Sequence, residues 1–162
     1  MIIDTIIFDF YGVILKNIKE NVLLGSRELI PYEETISFIR SIPIDYTLAI
    51  GSASNTLIIK EALEIFNLVD HFKIILGASD VANFKPHPEV YEKVLHKLNK
   101  TAEQAIVIED SPAGIEAAHA AGLKCAVVLN SHTRKQLQTA DIFLPNFETI
   151  NFEGFLELIK KS

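Results

Sequence analysis

The chain has 162 residues, 49% of them hydrophobic and 22% charged, and a formal net charge of −6. A chain of this length supports one self-sufficient core, and an acidic balance without a Lys/Arg cluster argues against a nucleic-acid surface. The single cysteine, Cys125, excludes a disulfide framework or thiolate zinc cage, and its apolar surroundings read as those of a buried, inert thiol.

No run approaches the ~18 apolar residues of a membrane span. The N-terminus is apolar, but Asp4 and Asp9 interrupt it and no basic residue precedes it. That is a poor secretory signal, and the expectation is a cytoplasmic protein without a membrane partner.

Ile6 to Phe8 is a β-branched and aromatic run ending on Asp9, with Gly12 shortly after, as in a strand buried on both faces. Leu15 to Ile30 has mixed polarity and no period, and reads as a short excursion, a hairpin or a single helical turn. Pro31-Tyr32-Glu33-Glu34 opens a helix with proline and acids in its first turn. Ile36, Ile39 and Arg40 continue that helix to Pro43. Tyr46 to Gly51 is a second buried strand, followed by Ser52-Ala53-Ser54-Asn55 and a helix over about Thr56–Phe66. Phe72 to Leu76 predicts a third strand. Pro86 and Pro88 lead into a helix over Glu89–Leu98, with Val90, Val94, Leu95 and Leu98 as its apolar face. Ala105 to Ile108 is a fourth strand, ending in Glu109-Asp110-Ser111-Pro112. A small-residue helix over Gly114–Ala121 closes on Gly122. Lys124 to Leu129 is a fifth strand, Asp141 to Leu144 a candidate sixth, and Phe152 to Lys160 a last amphipathic helix. Strands alternating with helices predict an α/β, three-layer, Rossmann-like fold around a parallel sheet of five or six strands.

Polar groups follow the carboxyl ends of these strands, where open α/β sheets bind ligands. They are Asp9, then Ser52 with Ser54 and Asn55, then Lys85 on its loop, then Glu109-Asp110. Taken singly each has a plain explanation. Asp9 reads as an acidic turn residue, Ser52 as a helix N-cap, Lys85 as a solvated amine, and Glu109-Asp110 as an acidic cap before Pro112. Together, a carboxylate nucleophile, a hydroxyl, an ammonium and a carboxylate pair able to hold Mg²⁺ suit a phosphoryl group. His87, beside Lys85, reads as a surface-loop histidine, and His71, His96, His119 and His132 lack metal-ligand spacing. Lys16, Lys19 and Glu20 read as a solvated face. Gly51-Ser52 is not a Walker loop.

Phe8-Asp9-Phe10-Tyr11-Gly12-Val13, Gly51-Ser52-Ala53-Ser54-Asn55, Lys85-Pro86-His87-Pro88 and Ile108-Glu109-Asp110-Ser111-Pro112-Ala113-Gly114 resemble the four motifs of the haloacid dehalogenase-like hydrolase superfamily. The last, with Ala120-Ala121-Gly122-Leu123, is most similar to the β-phosphoglucomutase and phosphoglycolate phosphatase branch. The resemblance covers nearly the whole chain and implies one core domain over residues 1–162, with the excursion at 15–30 in place of a cap. It implies that Asp9 attacks the substrate and carries an aspartyl-phosphate. Asp110, helped by Glu109, would bind Mg²⁺ together with the Asp9 side chain and the Tyr11 carbonyl. Ser52 and Lys85 would hold the phosphoryl oxygens, with Ala53, Phe10 and Gly12 in the same phosphate-binding set.

Two departures bear on activity. Phosphatases of the superfamily carry a second aspartate two residues after the nucleophile, where this chain has Tyr11. A phenol of ordinary pKa about 10 is a poor base at neutral pH, so turnover should suffer by up to the 10²–10⁴-fold that positioned acid–base catalysis supplies. Dehalogenases resemble this chain in Asp-x-Tyr-Gly but lack the Glu-Asp pair. Residues 15–30 are also too few for the family's helical cap, which suits a large phosphorylated substrate or a partner protein. The expected function is a Mg²⁺-dependent phosphatase slowed by Tyr11. The alternatives are a catalytically impaired relative with a binding or regulatory role, and a 2-haloacid dehalogenase.

Overall fold

The structure, a computed structural model, describes residues 3–16 and 29–162. The interior of the Leu15–Ile30 excursion, including Lys19 and Glu20, lies outside the described residues. Six strands form one sheet: β1 (Thr5–Phe8), β2 (Thr47–Gly51), β3 (Phe72–Leu76), β4 (Ala105–Glu109), β5 (Lys124–Val127) and β6 (Ile142–Phe143). Their order is β3-β2-β1-β4-β5-β6, and every neighbouring pair is parallel. The strands ending at Asp9, Ser52 and Glu109 are therefore adjacent, and their carboxyl ends share one rim.

Side-chain alternation explains how three central strands are buried on both faces. Ile6, Phe8, Leu48, Ile50, Ile106 and Ile108 belong to one core cluster, and Ile7, Ala49 and Val107 to the other. The first cluster is closed by α1 (Glu33–Ser41), α2 (Thr56–Ile65) and α5 (Phe152–Lys161), through Ile36, Phe38, Ile59, Leu63, Phe152 and Phe155. The second is closed by α3 (Glu89–Leu98) and α4 (Pro112–Ala120), through Val90, Tyr91, Val94, Ile115 and Ala118. Helices on both sheet faces make the three-layer α/β fold that the alternating pattern predicts. No helix among the described residues is long and apolar enough to cross a membrane.

Local chemistry sets the helix ends. Asn55 caps α2 by accepting from the Leu57 amide, so the capping role open to Ser52 belongs to its neighbour three residues on. Ser111 caps α4 by accepting from Gly114, with Pro112 in the first turn, which leaves Glu109 and Asp110 outside the helix. Acids in the first turn of α3 and His96 and Lys97 in its last match the helix dipole, and Asn99 ends it in the left-handed region. The first helix starts at Glu33, two residues later than Pro31 suggests, because Pro31 is held in a bridge to Leu15.

The aromatic cluster of α5 should dominate stability on its face. Phe155 is fully buried and meets the Phe38 ring edge-on at 5.5 Å. Phe155→Ala should lower the unfolding free energy by about 3–5 kcal/mol in denaturant titrations, against about 0.5 kcal/mol or less for Ile44→Ala. Ile44 is the contrast because its side chain is fully exposed.

Candidate active site

The rim is organised by an ammonium drawn out of water. Lys85 extends from the loop between β3 and α3, and its side chain is only 6% exposed. Its Nζ donates to Asp9 Oδ1 at 2.8 Å, to the Gly51 carbonyl at 2.9 Å and to Glu109 Oε1 at 2.7 Å. One residue thus joins the ends of β1, β2 and β4. Its three N–H bonds are all engaged, so a ligand oxygen reaching Lys85 must displace one of these partners. The Tyr91 ring lies 4.8 Å from Nζ, and the Tyr91 hydroxyl donates to Glu109 Oε1 at 2.8 Å.

Glu109 has no exposed side-chain surface and is saturated with donors. Besides Lys85 and Tyr91 at Oε1, its Oε2 accepts from the amides of Asp110 and Ser111 and from the Ser111 hydroxyl. Gly114 makes this packing feasible, because a Cβ there would sit 1.9 Å from the Glu109 carboxyl carbon. Burial alone would raise the Glu109 pKa, but Lys85 and these donors hold it below the usual carboxylate range.

Asp9 and Asp110 are placed differently. Asp9 follows β1, and its amide donates to the Ile108 carbonyl at 2.9 Å, extending the ladder to β4. Lys85 occupies Oδ1, while Oδ2 takes no hydrogen bond from the described residues. Burial, then the neighbouring Glu109 charge, raise the Asp9 pKa against the pull of Lys85. Asp110 is buried, and its Oδ2 has no hydrogen-bond partner among the described residues. Burial raises its pKa too, with the Ser131 side chain beside it pulling the other way. Oxygens of Asp9, Glu109 and Asp110 all lie within 4.8 Å of one another.

The loop after Asp9 is wound tightly. The Phe10 carbonyl accepts from the amides of Ile14 and Leu15, and the Gly12 amide donates to the Leu15 carbonyl at 2.7 Å. Gly12 has φ +88°, and a Cβ there would fall 1.8 Å from Asp110 Oδ2. Its amide is engaged, so what Gly12 offers the site is the space of a missing side chain. Tyr11 is half-buried and packs edge-on against Phe10, with ring centroids 5.1 Å apart.

On the β2 side, Ser52 is 2% exposed, and its Oγ accepts from the Ser54 amide at 3.1 Å, which leaves its own proton to donate. Ala53 is exposed at the mouth. His87 is exposed and accepts from the Glu89 amide at 3.2 Å, a local role at the start of α3. Asp9, Lys85 and the Glu109-Asp110 pair are thus in direct or near contact, and Ser52 follows the Gly51 carbonyl that Lys85 holds.

Four residues at this site escape a reading by motif. Tyr91 lies on the apolar face of α3, and its only signal is a hydroxyl among aliphatic residues. Asn130, Ser131 and His132 follow β5. Asn130 Nδ2 donates to the Gly12 carbonyl, and His132 Nδ1 to the Asp110 carbonyl, each at 2.8 Å.

Residues 9–128 match the family model described as haloacid dehalogenase-like hydrolase. The chain is 34% identical over 93 residues to validoxylamine A 7'-phosphate phosphatase of Streptomyces hygroscopicus subsp. limoneus, covering 57% of this chain and 44% of that one. It is 30% identical over 139 residues to phosphoglycolate phosphatase of Aquifex aeolicus, covering 84% and 63%. The chain thus spans about half the length of the curated relatives it matches. Among solved structures, a putative β-phosphoglucomutase from Thermotoga maritima aligns with a TM-score of 0.75 at 20% identity, covering 98% of this chain and 99% of that one.

Removing the ammonium should expose the electrostatic strain it relieves. Lys85→Met leaves the buried Asp9 and Glu109 carboxylates facing each other without a counter-charge. Breaking such a pair costs about 3–5 kcal/mol. The Glu109 pKa would then rise above that of the unfolded chain, and the Asp9 pKa, already above it, would rise further. The folded state therefore binds more protons than the unfolded, and stability falls as pH rises above the unfolded pKa of about 4. The gap in melting temperature between wild type and Lys85→Met should widen from about pH 5 to about pH 8; a constant gap would contradict this account.

Proposed function

The chain belongs to the haloacid dehalogenase-like hydrolases, and from that premise we propose that it is a Mg²⁺-dependent phosphatase, working slowly through an aspartyl-phosphate. The observation that carries this reading is the charge balance at the rim. Three buried carboxylates share one ammonium, and one of their oxygens, Asp110 Oδ2, has no partner among the described residues. With all three ionised, two negative charges remain uncompensated, and a divalent cation with a preference for hard oxygens matches them in sign, number and chemistry. Asp9, Asp110 and the Tyr11 carbonyl would hold it. Glu109, saturated by other donors, fits better as the anchor of Lys85 than as a direct ligand. When bound, Mg²⁺ offsets phosphate charge and so lets a dianionic ester approach a carboxylate.

The chain's own residues define the remaining roles. Lys85 holds Asp9 by Oδ1, which orients Oδ2 as the nucleophile. Asp9 Oδ2 bonds to phosphorus as the bond from phosphorus to the ester oxygen breaks. The departing alkoxide takes its proton from water, since Tyr11 supplies no carboxylic acid. Water then attacks phosphorus, giving a proton to the hydroxide left by the first step, the bond to Asp9 breaks, and phosphate leaves with the carboxylate restored. Ser52, whose hydroxyl proton has no acceptor among the described residues, donates to a phosphoryl oxygen. The substrate is a phosphomonoester, small or borne on a macromolecule. A reducing, cytoplasmic setting suits the lone buried Cys125, whose thiol pKa burial raises.

Three outcomes test this. Saturating Mg²⁺ should raise the melting temperature by mass action, and Asp110→Asn should blunt the rise. Because protons compete for the same carboxylates, Mg²⁺ affinity by calorimetry should tighten between about pH 5.5 and about pH 8. Tyr11→Asp should raise phosphate release from p-nitrophenyl phosphate by up to about 10²–10⁴-fold, and Asp9→Asn in that background should abolish it. A folded, Mg²⁺-binding Tyr11→Asp protein that releases no phosphate would turn the reading to a binding or regulatory role.

A further inference from the structure

The segment after β5 carries side chains that the catalytic roles above leave unused. Val128 extends β5, its amide donating to the Glu109 carbonyl at 3.0 Å. The chain then turns across the rim. Asn130 reaches back 118 residues in sequence to the Gly12 carbonyl, and His132 reaches 22 residues to the Asp110 carbonyl. Ser131, between them, lies beside the Asp110 carboxyl. A carbonyl only accepts, so Asn130 presents its amide nitrogen and His132 a protonated Nδ1, whatever the charge of the ring.

These bonds reach two loops that approach each other closely. Gly12 lies so near Asp110 that no side chain fits between them. The Tyr11–Gly12 peptide and the Asp110 carboxyl both belong to the proposed cation site. Neither loop is bonded directly to the other by any hydrogen bond among the described residues. Each is bonded instead to the same short segment, two residues apart along it.

We propose that Asn130 and His132 are positioning residues. They hold the Tyr11–Gly12 loop and the Asp110 loop at the separation a Mg²⁺ ion requires. The inference rests on the metal reading given under Proposed function. Residues that orient metal ligands through a second hydrogen bond typically change metal affinity by about 10–100-fold when removed. Asn130 is exposed, so truncating it removes the tether with little loss of packing.

The test is calorimetric titration of Mg²⁺ into wild type, Asn130→Ala, His132→Ala and His132→Asn, with metal-free melting temperatures measured in parallel. Both alanine variants should bind Mg²⁺ about 10-fold or more weakly. His132→Asn, which keeps an N–H donor at the same branch point, should recover most of the affinity. A purely structural role predicts lower metal-free melting temperatures with unchanged Mg²⁺ dissociation constants, and that result would overturn the inference. Wild type that binds no Mg²⁺ would instead sink the metal reading, and this inference with it. Should His132→Ala not fold, Asn130→Ala decides alone: unchanged affinity there refutes the tether.

Discussion

The architecture of the rim depends on the burial of one ammonium. A charge drawn out of water is tolerated only when it is paired and hydrogen-bonded. Lys85 meets that condition through two carboxylates and a backbone carbonyl, and each partner comes from a different strand end. The requirement acts in both directions. Glu109 has no access to water, so without Lys85 it would be an uncompensated buried charge. Asp9 would have no cation beside it, and the loop between β3 and α3 would lose its anchor to the sheet. The order β3-β2-β1-β4 makes the arrangement possible, because it sets the three strand ends side by side under that loop.

The neighbours of the ion cluster divide into groups that are satisfied and groups that are not. Glu109 collects donors at both oxygens, and Tyr91 closes the cluster from the α3 side with its hydroxyl and ring face. Such a fully bonded carboxylate is a fixed point. Asp110, next in the chain, and Asp9, at the end of the neighbouring strand β1, each keep an oxygen without a donor among the described residues. Polar networks left partly unsatisfied in a protein interior are costly, and they persist where a ligand completes them. The contrast between adjacent residues Glu109 and Asp110 is therefore more informative than the acidity they share. It separates the group that builds the site from the group that faces what the site receives.

Much of this was legible in sequence because it is local. Apolar runs located the first five strands, and the 3.6-residue spacing of Val90, Val94 and Leu95 located a helix face. Gly122 ended α4 in a left-handed turn, as a C-terminal glycine should. Where local signals compete, element ends shift by a residue or two. Pro31 looked like the first residue of a helix but pairs with Leu15 through a bridge, a contact across the excursion that no window of sequence contains. The tethers from Asn130 and His132 are invisible for the same reason. They join residues far apart in sequence and use common side chains with no characteristic spacing. Tyr91 was masked by its own helix, since an aromatic residue on an apolar face reads as core and here is also a hydrogen-bond donor to the site.

Tyr11 shows how far a change of side chain can be isolated from the loop that bears it. The turn after Asp9 is held by backbone bonds: the Phe10 carbonyl gathers the amides of Ile14 and Leu15, and Gly12 adopts a positive φ. None of these uses the side chain at position 11. The phenol packs on the Phe10 ring and joins the edge of the larger core cluster. An aromatic pair of this kind contributes about 0.5–1.5 kcal/mol beyond its buried area. The same carbonyl can therefore face the proposed cation whether position 11 carries a phenol or a carboxylate. What the exchange alters is proton transfer and, by a modest amount, the stability of the loop. In the proposed reading, the metal site draws on backbone and acids that the loop keeps in place, and position 11 bears on the rate of turnover alone.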